Sequence, residues 1–173
     1  MDAPEAGSFH DCFVALFEMH FPRLYRYLDR LSGEPELAAD VAQEAFIKLY
    51  QRGALPDAPE AWLITVAMNL FRNARSSRSR RSRLLTQVRG EGMMADPPPS
   101  PEEAALAKES RLRVRRAIDR LPQRERRLLL LRAEGYSYHD IAAALELNEA
   151  SVGTLLARAR QAFRDCYEDP DAP

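Results

Sequence analysis

The sequence is poor in the residues that several common kinds of protein chemistry require. Its 173 residues include only two cysteines and three histidines, and Cys12 and Cys166 lie near opposite ends with no CxxC spacing. A disulfide framework or a structural zinc site needs closer or more numerous ligands, so we assign no metal and no cofactor. The sequence also lacks a carboxylate cluster, a nucleophile paired with a base and a glycine-rich phosphate loop, and we therefore expect no enzyme activity.

Long apolar runs and glycine are scarce as well. No stretch is long enough to cross a bilayer and no secretory signal precedes the first helix, so we expect a cytoplasmic protein without membrane insertion. Only seven glycines occur in a chain rich in Ala, Leu, Arg and Glu, a composition that favours helices over strands. The sequence therefore predicts an all-α fold of two small helical domains, an N-terminal bundle and a C-terminal helix-turn-helix, joined by a flexible linker.

The charges that are present are separated along the chain. The overall net charge is -1, but residues 61–90 hold seven arginines and no acid, whereas residues 1–60 have a net charge of -6. Six of the arginines fall in RNARSSRSRRSR, which begins at Arg72. Such asymmetry favours a nucleic-acid surface, with the acidic parts facing another partner. A solvated tail and a localisation-like tract remain alternatives for the arginine run.

Prolines mark the expected division between the two domains. The segment GEGMMADPPPSPEE, residues 90–103, combines flexible glycines with three consecutive prolines. Helix is expected to resume at once, because Ser100 can cap it and Pro101 suits its first position.

Helical spacing predicts four helices before this linker. They begin near Phe9, at Pro22, at Pro35 and near Pro59. The third is expected to end before Gly53 and to bury the stripe Leu37, Val41, Ala45 and Leu49. In the fourth, Trp62, Val66 and Leu70 recur as a stripe and lead without a breaker into Arg72, Arg75 and Arg78, which should project from a packed helix.

The segment SYHDIAAALELNEASVGTLLARARQAFR has the layout of a helix-turn-helix. Ser137 with Asp140 should cap its first helix and Asn148 its second. We expect Ile141, Ala142 and Leu145 to pack against Val152, Leu155 and Leu156. The outward residues should be Ser151, Thr154, Arg158 and Gln161. An αα-hairpin with a purely structural role is the alternative.

The polar side of the third helix carries Asp40, Gln43, Glu44 and Lys48 at spacings of three and four residues. From the residues alone, a solvated face is favoured over an acidic docking stripe for a basic partner.

Three motifs occur in an order and spacing that resemble a known family. They are EPELAADVAQEAFIKLY, PEAWLITVAMNLFRNARSSRSRR and LPQRERRLLLLRAEGYSYHDIAAAL. The chain resembles a bacterial RNA polymerase sigma factor of the extracytoplasmic-function (ECF) group over residues 9–83 and 110–166. The resemblance implies a region 2-like domain over 9–83, a linker over 84–109 and a region 4-like domain over 110–167.

The resemblance also implies roles for individual residues. In the DVAQEAF motif it makes Asp40, Gln43, Glu44 and Phe46 contacts of core RNA polymerase, which replaces the interpretation as a solvated face. The minus-ten DNA candidates are Trp62, Asn69, Arg72, Asn73, Arg75 and Arg78, with Trp62 mainly a core residue. The loop 53–58 lies where the family holds a flipped base.

The minus-thirty-five candidates implied for the helix-turn-helix are Asn148, Ser151, Gly153, Thr154, Arg158 and Arg160. Gly153 and Leu155 stand where family members often carry a basic residue, so the base contacts of this helix are left open.

The function implied is that of a promoter-specificity subunit, which binds core RNA polymerase and promoter DNA and performs no covalent chemistry. We expect a monomer when the chain is free of partners, and an anti-sigma factor is a further candidate partner because many family members are held by one. The alternative function is an autonomous helix-turn-helix repressor, which would leave the DVAQEAF and AWL segments unexplained.

Overall fold

The computed structural model describes residues 9–82 and 101–169, with side chains at 9–76 and 105–169. These residues form seven α-helices and no strand, which confirms the all-α prediction. The N-terminal module consists of α1 (Phe9–Ser32), α2 (Pro35–Arg52) and α3 (Pro59–Ser82). The C-terminal module consists of α4 (Pro101–Arg120), α5 (Gln123–Ala133), α6 (Tyr138–Leu145) and α7 (Glu149–Glu168).

Helix α2 has the predicted bounds. Proline occupies its first turn, and Gly53 ends it in the left-handed conformation, with φ of 72° and an N–H that donates to the carbonyl of Tyr50 at 3.1 Å. The predicted stripe Leu37, Val41, Ala45 and Leu49 is buried. This stripe turns the opposite, polar side of α2 towards solvent.

The prediction of separate helices on either side of Pro22 is wrong. A single helix, α1, runs from Phe9 to Ser32 with Pro22 inside it. An interior proline removes one backbone hydrogen bond and is unfavourable by about 3 kcal/mol. Packing on both sides of Pro22 offsets this loss, because Phe13 contacts the Phe46 ring and Leu24 and Leu28 are fully buried.

The predicted stripe of α3 is wrong in phase. The buried side chains are Ala61, Leu63, Ile64, Ala67, Met68 and Phe71. Trp62, Val66 and Leu70 are half-buried and pack against this core from one side. Helix α3 contacts α1, α2 and α6, so its apolar surface is wider than one stripe.

Helix α4 starts at Pro101, where the sequence predicts that helix resumes. Its first turns therefore lie inside the segment predicted as linker. The Ser137 hydroxyl accepts a hydrogen bond from the N–H of Asp140 at 3.0 Å, and the Asn148 side chain accepts one from the N–H of Ala150 at 3.0 Å. Both predicted helix caps are thus confirmed.

The two modules pack together in the described structure. Contacts join α1 to α5 and α3 to α6. One continuous hydrophobic cluster includes Leu24 and Phe71 of the N-terminal module as well as Leu128, Tyr136 and Leu156 of the C-terminal module. The candidate surfaces described below are therefore held close to one another.

Candidate partner and nucleic-acid surfaces

The acidic stripe of α2 is accessible. Asp40 and Gln43 are exposed, and Glu44 is partly exposed and pairs with Lys48 at 3.3 Å. An exposed ion pair between residues one helical turn apart stabilises the fold by only about 0.3–0.5 kcal/mol. Glu44 can therefore leave Lys48 and pair with a cationic group of a partner, with little loss of stability.

Phe46 is much less exposed than the other candidate contacts of α2. It is 2% exposed and lies under the aromatic side chains of α1, with its ring perpendicular to that of Phe17 at a centroid distance of 5.0 Å. Phe46 is therefore a core residue that supports the surface from beneath, and its role as a polymerase contact stays a prediction.

An apolar groove beside the acidic stripe was missed by the sequence analysis. Its volume is about 480 Å³, and its lining residues are Phe13, Phe17, Gln43, Phe46, Ile47, Tyr50 and Gln51. Phe17, Ile47 and Tyr50 are 38%, 41% and 50% exposed. The sequence signal for this groove is the aromatic spacing of FHDCFVALF, which places Phe9, Phe13 and Phe17 on one face of a helix. Gln43 belongs to both the stripe and the groove, so they form one surface of α1 and α2.

The basic end of α3 presents polar and cationic side chains to solvent. Asn69, Arg72, Asn73 and Arg75 are all exposed. The Arg72 guanidinium donates to the side-chain oxygen of Asn69, and the Arg75 guanidinium lies 5.7 Å from the centroid of the buried Phe71 ring. These contacts hold both guanidiniums against the helix, an arrangement suited to phosphate. The side chain of Arg78 lies outside the described residues.

The other minus-ten candidates differ in exposure. Trp62 is half-buried against the core, in agreement with its interpretation as mainly a core residue. The loop 53–58 is largely exposed, with Leu55 at its centre 36% exposed.

Helix α7 turns most of its predicted contacts outward. Ser151, Thr154, Arg158 and Arg160 are exposed, whereas Val152, Leu156 and Ala159 are buried against the rest of the module. Gly153 is half-buried and faces α6, because a Cβ atom built on it would lie 3.6 Å from the Tyr138 ring. Asn148 is exposed but uses its side-chain oxygen as the helix cap, which leaves its amide group to donate.

Within residues 9–82 and 101–169, no group of His, Cys, Asp and Glu could hold a metal ion. None of the helices in that part of the chain is long and apolar enough to span a membrane.

Comparison with known proteins adds a family match for each module. The model of sigma-70 region 2 matches residues 16–81, and that of sigma-70 region 4 matches residues 111–163. The ECF RNA polymerase sigma factor SigL of Mycobacterium tuberculosis is 31% identical, over 87% of this chain and 85% of SigL.

The ECF RNA polymerase sigma factor SigE of Mycolicibacterium smegmatis is 32% identical over 87% of this chain, which spans only 59% of SigE. Among solved structures, the sigma factor RpoE from Bartonella quintana, crystallised with the anti-sigma factor NepR, superposes with a TM-score of 0.65. The superposition covers 94% of this chain and 99% of RpoE at 21% identity. This likeness concerns the fold.

Proposed function

The chain belongs to the ECF group of RNA polymerase sigma factors, and from this premise we propose that it binds core RNA polymerase and directs promoter-specific transcription initiation. In this proposal residues 9–83 bind polymerase and the minus-ten element, 84–109 connect the modules, and 110–167 bind the minus-thirty-five element. The chain acts in the cytoplasm by binding alone and performs no covalent chemistry.

The observation that carries the proposal is the separation of two surfaces on the N-terminal module. The stripe and groove of α1 and α2 combine exposed acids with exposed apolar side chains, a composition suited to a protein partner. The basic end of α3 supplies exposed guanidiniums and amides, suited to DNA. A chain that joins polymerase to promoter needs both surfaces at once.

The docking surface is tested by charge reversal. Asp40→Arg with Glu44→Arg should weaken binding to core polymerase at least tenfold, because like charges would face the basic partner surface. The matched control is Glu18→Arg with Glu168→Arg, two exposed acids outside the stripe, which should leave the affinity within twofold. Equal affinity of both double variants would remove the docking assignment.

The whole function is tested by reconstituted transcription. Core polymerase with this chain should initiate from genomic promoters that core alone does not use. A chain that binds DNA yet neither binds core nor supports initiation would instead be an autonomous repressor. That alternative is not favoured, because it leaves the region 2 match over residues 16–81 without a role.

An anti-sigma factor is included as a proposed partner. Two structures of similar fold contain RpoE in complex with the anti-sigma factor NepR and CnrH in complex with the cytosolic domain of CnrY. For this chain such a protein would compete with core polymerase, so its addition should abolish the initiation measured above.

A further inference from the structure

The outward face of α7 is the surface of the C-terminal module that is suited to the major groove of DNA. Ser151, Thr154 and Arg158 are exposed and follow one another at spacings of three and four residues, so they form one row along the helix. Val152 and Leu156 are buried and hold the opposite side of the helix against the module. The side chains of this row and those beside it therefore decide which bases the helix can distinguish.

The two amides at the ends of this row are engaged within the helix. Gln161 donates from Nε2 to Asp165 at 2.7 Å, and its Oε1 accepts a hydrogen bond from Arg164. The side-chain oxygen of Asn148 accepts the N–H of Ala150 as the helix cap. Adenine is read in the major groove by an asparagine or glutamine that donates and accepts at the same time. Both amides would have to give up these contacts to read adenine in this way.

The carboxylate nearest the row is engaged as well. Glu149 lies in the first turn of α7, and its Oε2 is 3.1 Å from Nδ1 of His139 in α6. A carboxylate reads cytosine by accepting a hydrogen bond from its amino group, whereas the contact with His139 holds this carboxylate against α6. Gly153 offers no side chain and faces Tyr138, and Leu155 packs against the hydrophobic core. These residues therefore do not compete with the row for the bases.

The row itself presents short side chains and the guanidinium of Arg158. Thr154 ends in a methyl and a hydroxyl group, and Ala157, exposed three residues later, ends in a methyl group. Thymine is the base that presents a methyl group in the major groove, where threonine and alanine methyls contact it. Because these side chains are short, the helix can approach the floor of a groove about 8.5 Å deep. Arg158 can pair there with O6 and N7 of a guanine.

We propose that Thr154 is a specificity-determining residue, which reads a thymine of the minus-thirty-five element by contact between the two methyl groups. Ala157 adds a second methyl beside it, and Arg158 fixes the helix on a guanine of the same element. This role of Thr154 rests on the proposed function, in which the C-terminal module binds that element.

The test uses the complex of this chain with core RNA polymerase. Promoter duplexes with a randomised upstream element are selected for binding to the complex, and the selected element should contain both thymine and guanine. Each thymine is then replaced in turn by deoxyuridine, which removes the C5-methyl group and keeps the base pair. At the thymine that Thr154 contacts, the affinity should fall about threefold to fivefold, the effect of one buried methyl group. Thymines outside the element are the controls and should tolerate the change.

A double-mutant cycle assigns the contact to Thr154. Thr154→Ser removes the methyl and keeps the hydroxyl, so it should weaken binding to the thymine duplex by a similar factor. Against the deoxyuridine duplex the same substitution should cause no further loss, because the contact is already absent. Thr65→Ser is the matched control, since it removes a methyl from α3 and keeps the hydroxyl that donates to the carbonyl of Ala61 at 2.8 Å. It should leave both affinities unchanged.

Three results would overturn this role of Thr154. The first is an equal loss caused by Thr154→Ser on both duplexes, with helix content unchanged by circular dichroism. The second is a selected element in which no thymine responds to deoxyuridine. The third is an adenine preference that Gln161→Ala abolishes while deoxyuridine has no effect, because the amide would then leave Asp165 and read adenine.

Failure of the proposed function gives a different result. In that case no complex with core polymerase forms, or the complex selects no upstream element from the randomised duplexes, and Thr154 loses its proposed role together with the module. A complex that selects an element but is indifferent to the thymine methyl counts against Thr154 alone and leaves the proposed function in place.

Discussion

At the scale of single residues, two glycines should respond in opposite ways to the same substitution. A Cβ atom at Gly153 in α7 would meet Tyr138 at 3.6 Å, an ordinary contact, and glycine in a helix is about 1 kcal/mol less favourable than alanine. Gly153→Ala should therefore raise the free energy of unfolding by about 1 kcal/mol. Gly53→Ala should lower it by about 1–2 kcal/mol, because φ there is 72°. Urea denaturation measures both, and a loss of stability in Gly153→Ala would contradict the packing described for α7.

Asp29 gives a pH-dependent prediction. Burial near the end of α1 raises the pKa of this carboxyl, although Arg115 and Arg30 oppose the shift. The folded state thus binds the proton more tightly than the unfolded chain, and stability falls as pH rises from the ordinary pKa through the raised one.

Asp29→Asn removes this charge from a helix C-terminus. The variant should be more stable than the unmodified chain at neutral pH, by at most about 1 kcal/mol. The difference should vanish below the ordinary pKa of aspartate, where both side chains are neutral. Thermal unfolding at neutral and acid pH measures it, and a variant that is less stable at neutral pH would show that the two arginines outweigh burial.

At the scale of helices, Pro22 is an exposed residue inside α1 and offers no N–H to the carbonyl four residues earlier. Pro22→Ala should raise the free energy of unfolding by about 1–3 kcal/mol, because it adds the hydrogen bond and removes no buried surface. Pro35→Ala is the matched control. Pro35 opens α2, where the missing donor has no intrahelical acceptor, so no comparable gain is expected. Destabilisation by Pro22→Ala would mean that α1 needs a bend at this point.

The helices predicted correctly are those with local signals. Pro35 and Gly53 bound α2, and Ser137 and Asn148 cap the helices of the helix-turn-helix through neighbouring backbone groups. Local signals fail where distant packing decides. Pro22 indicates a helix start, but the side chains around it pack continuously on α2.

The predicted phase of α3 is wrong and the exposed groove is not predicted, for a related reason. Helix α3 contacts neighbours on more than one side, so Trp62 and Val66 are apolar without lying in the centre of the core. Phe17 and Tyr50 have the helical spacing of core residues yet remain partly exposed. Hydrophobic periodicity identifies an apolar helix face, but it does not distinguish a face buried within this chain from one that a partner buries.

At the scale of the whole molecule, the acidic and basic segments of the sequence account for only part of the arrangement of charge in the structure. The acidic stripe of α2 and the exposed arginines of α3 follow it. Arg23 and Glu134 do not, because they are 111 residues apart in sequence and meet only when the modules pack. The charged residues therefore form both separated surfaces and arginine–acid contacts between the modules.

This packing predicts that the two modules unfold together. One hydrophobic cluster spans both, and the ion pairs of Arg26 and Arg30 with Glu134 also join them, at 2.9 Å and 2.5 Å. Trp62, the single tryptophan, reports on α3 by fluorescence, whereas far-ultraviolet circular dichroism reports on all helices. In the unmodified chain the two signals should give coincident urea transitions.

Arg26→Ala with Arg30→Ala should break this coincidence. Glu134 would keep a buried carboxylate without these two cations, which lowers stability by about 2 kcal/mol after allowance for the half-exposed guanidiniums. The loss acts on the contact between modules, so the circular dichroism transition should begin at lower urea than that of Trp62. Arg116→Ala, exposed on α4, should leave the transitions superimposed. Separate transitions in the unmodified chain would show that the modules fold independently, because the shared core and the ion pairs of Glu134 would then contribute too little to couple them.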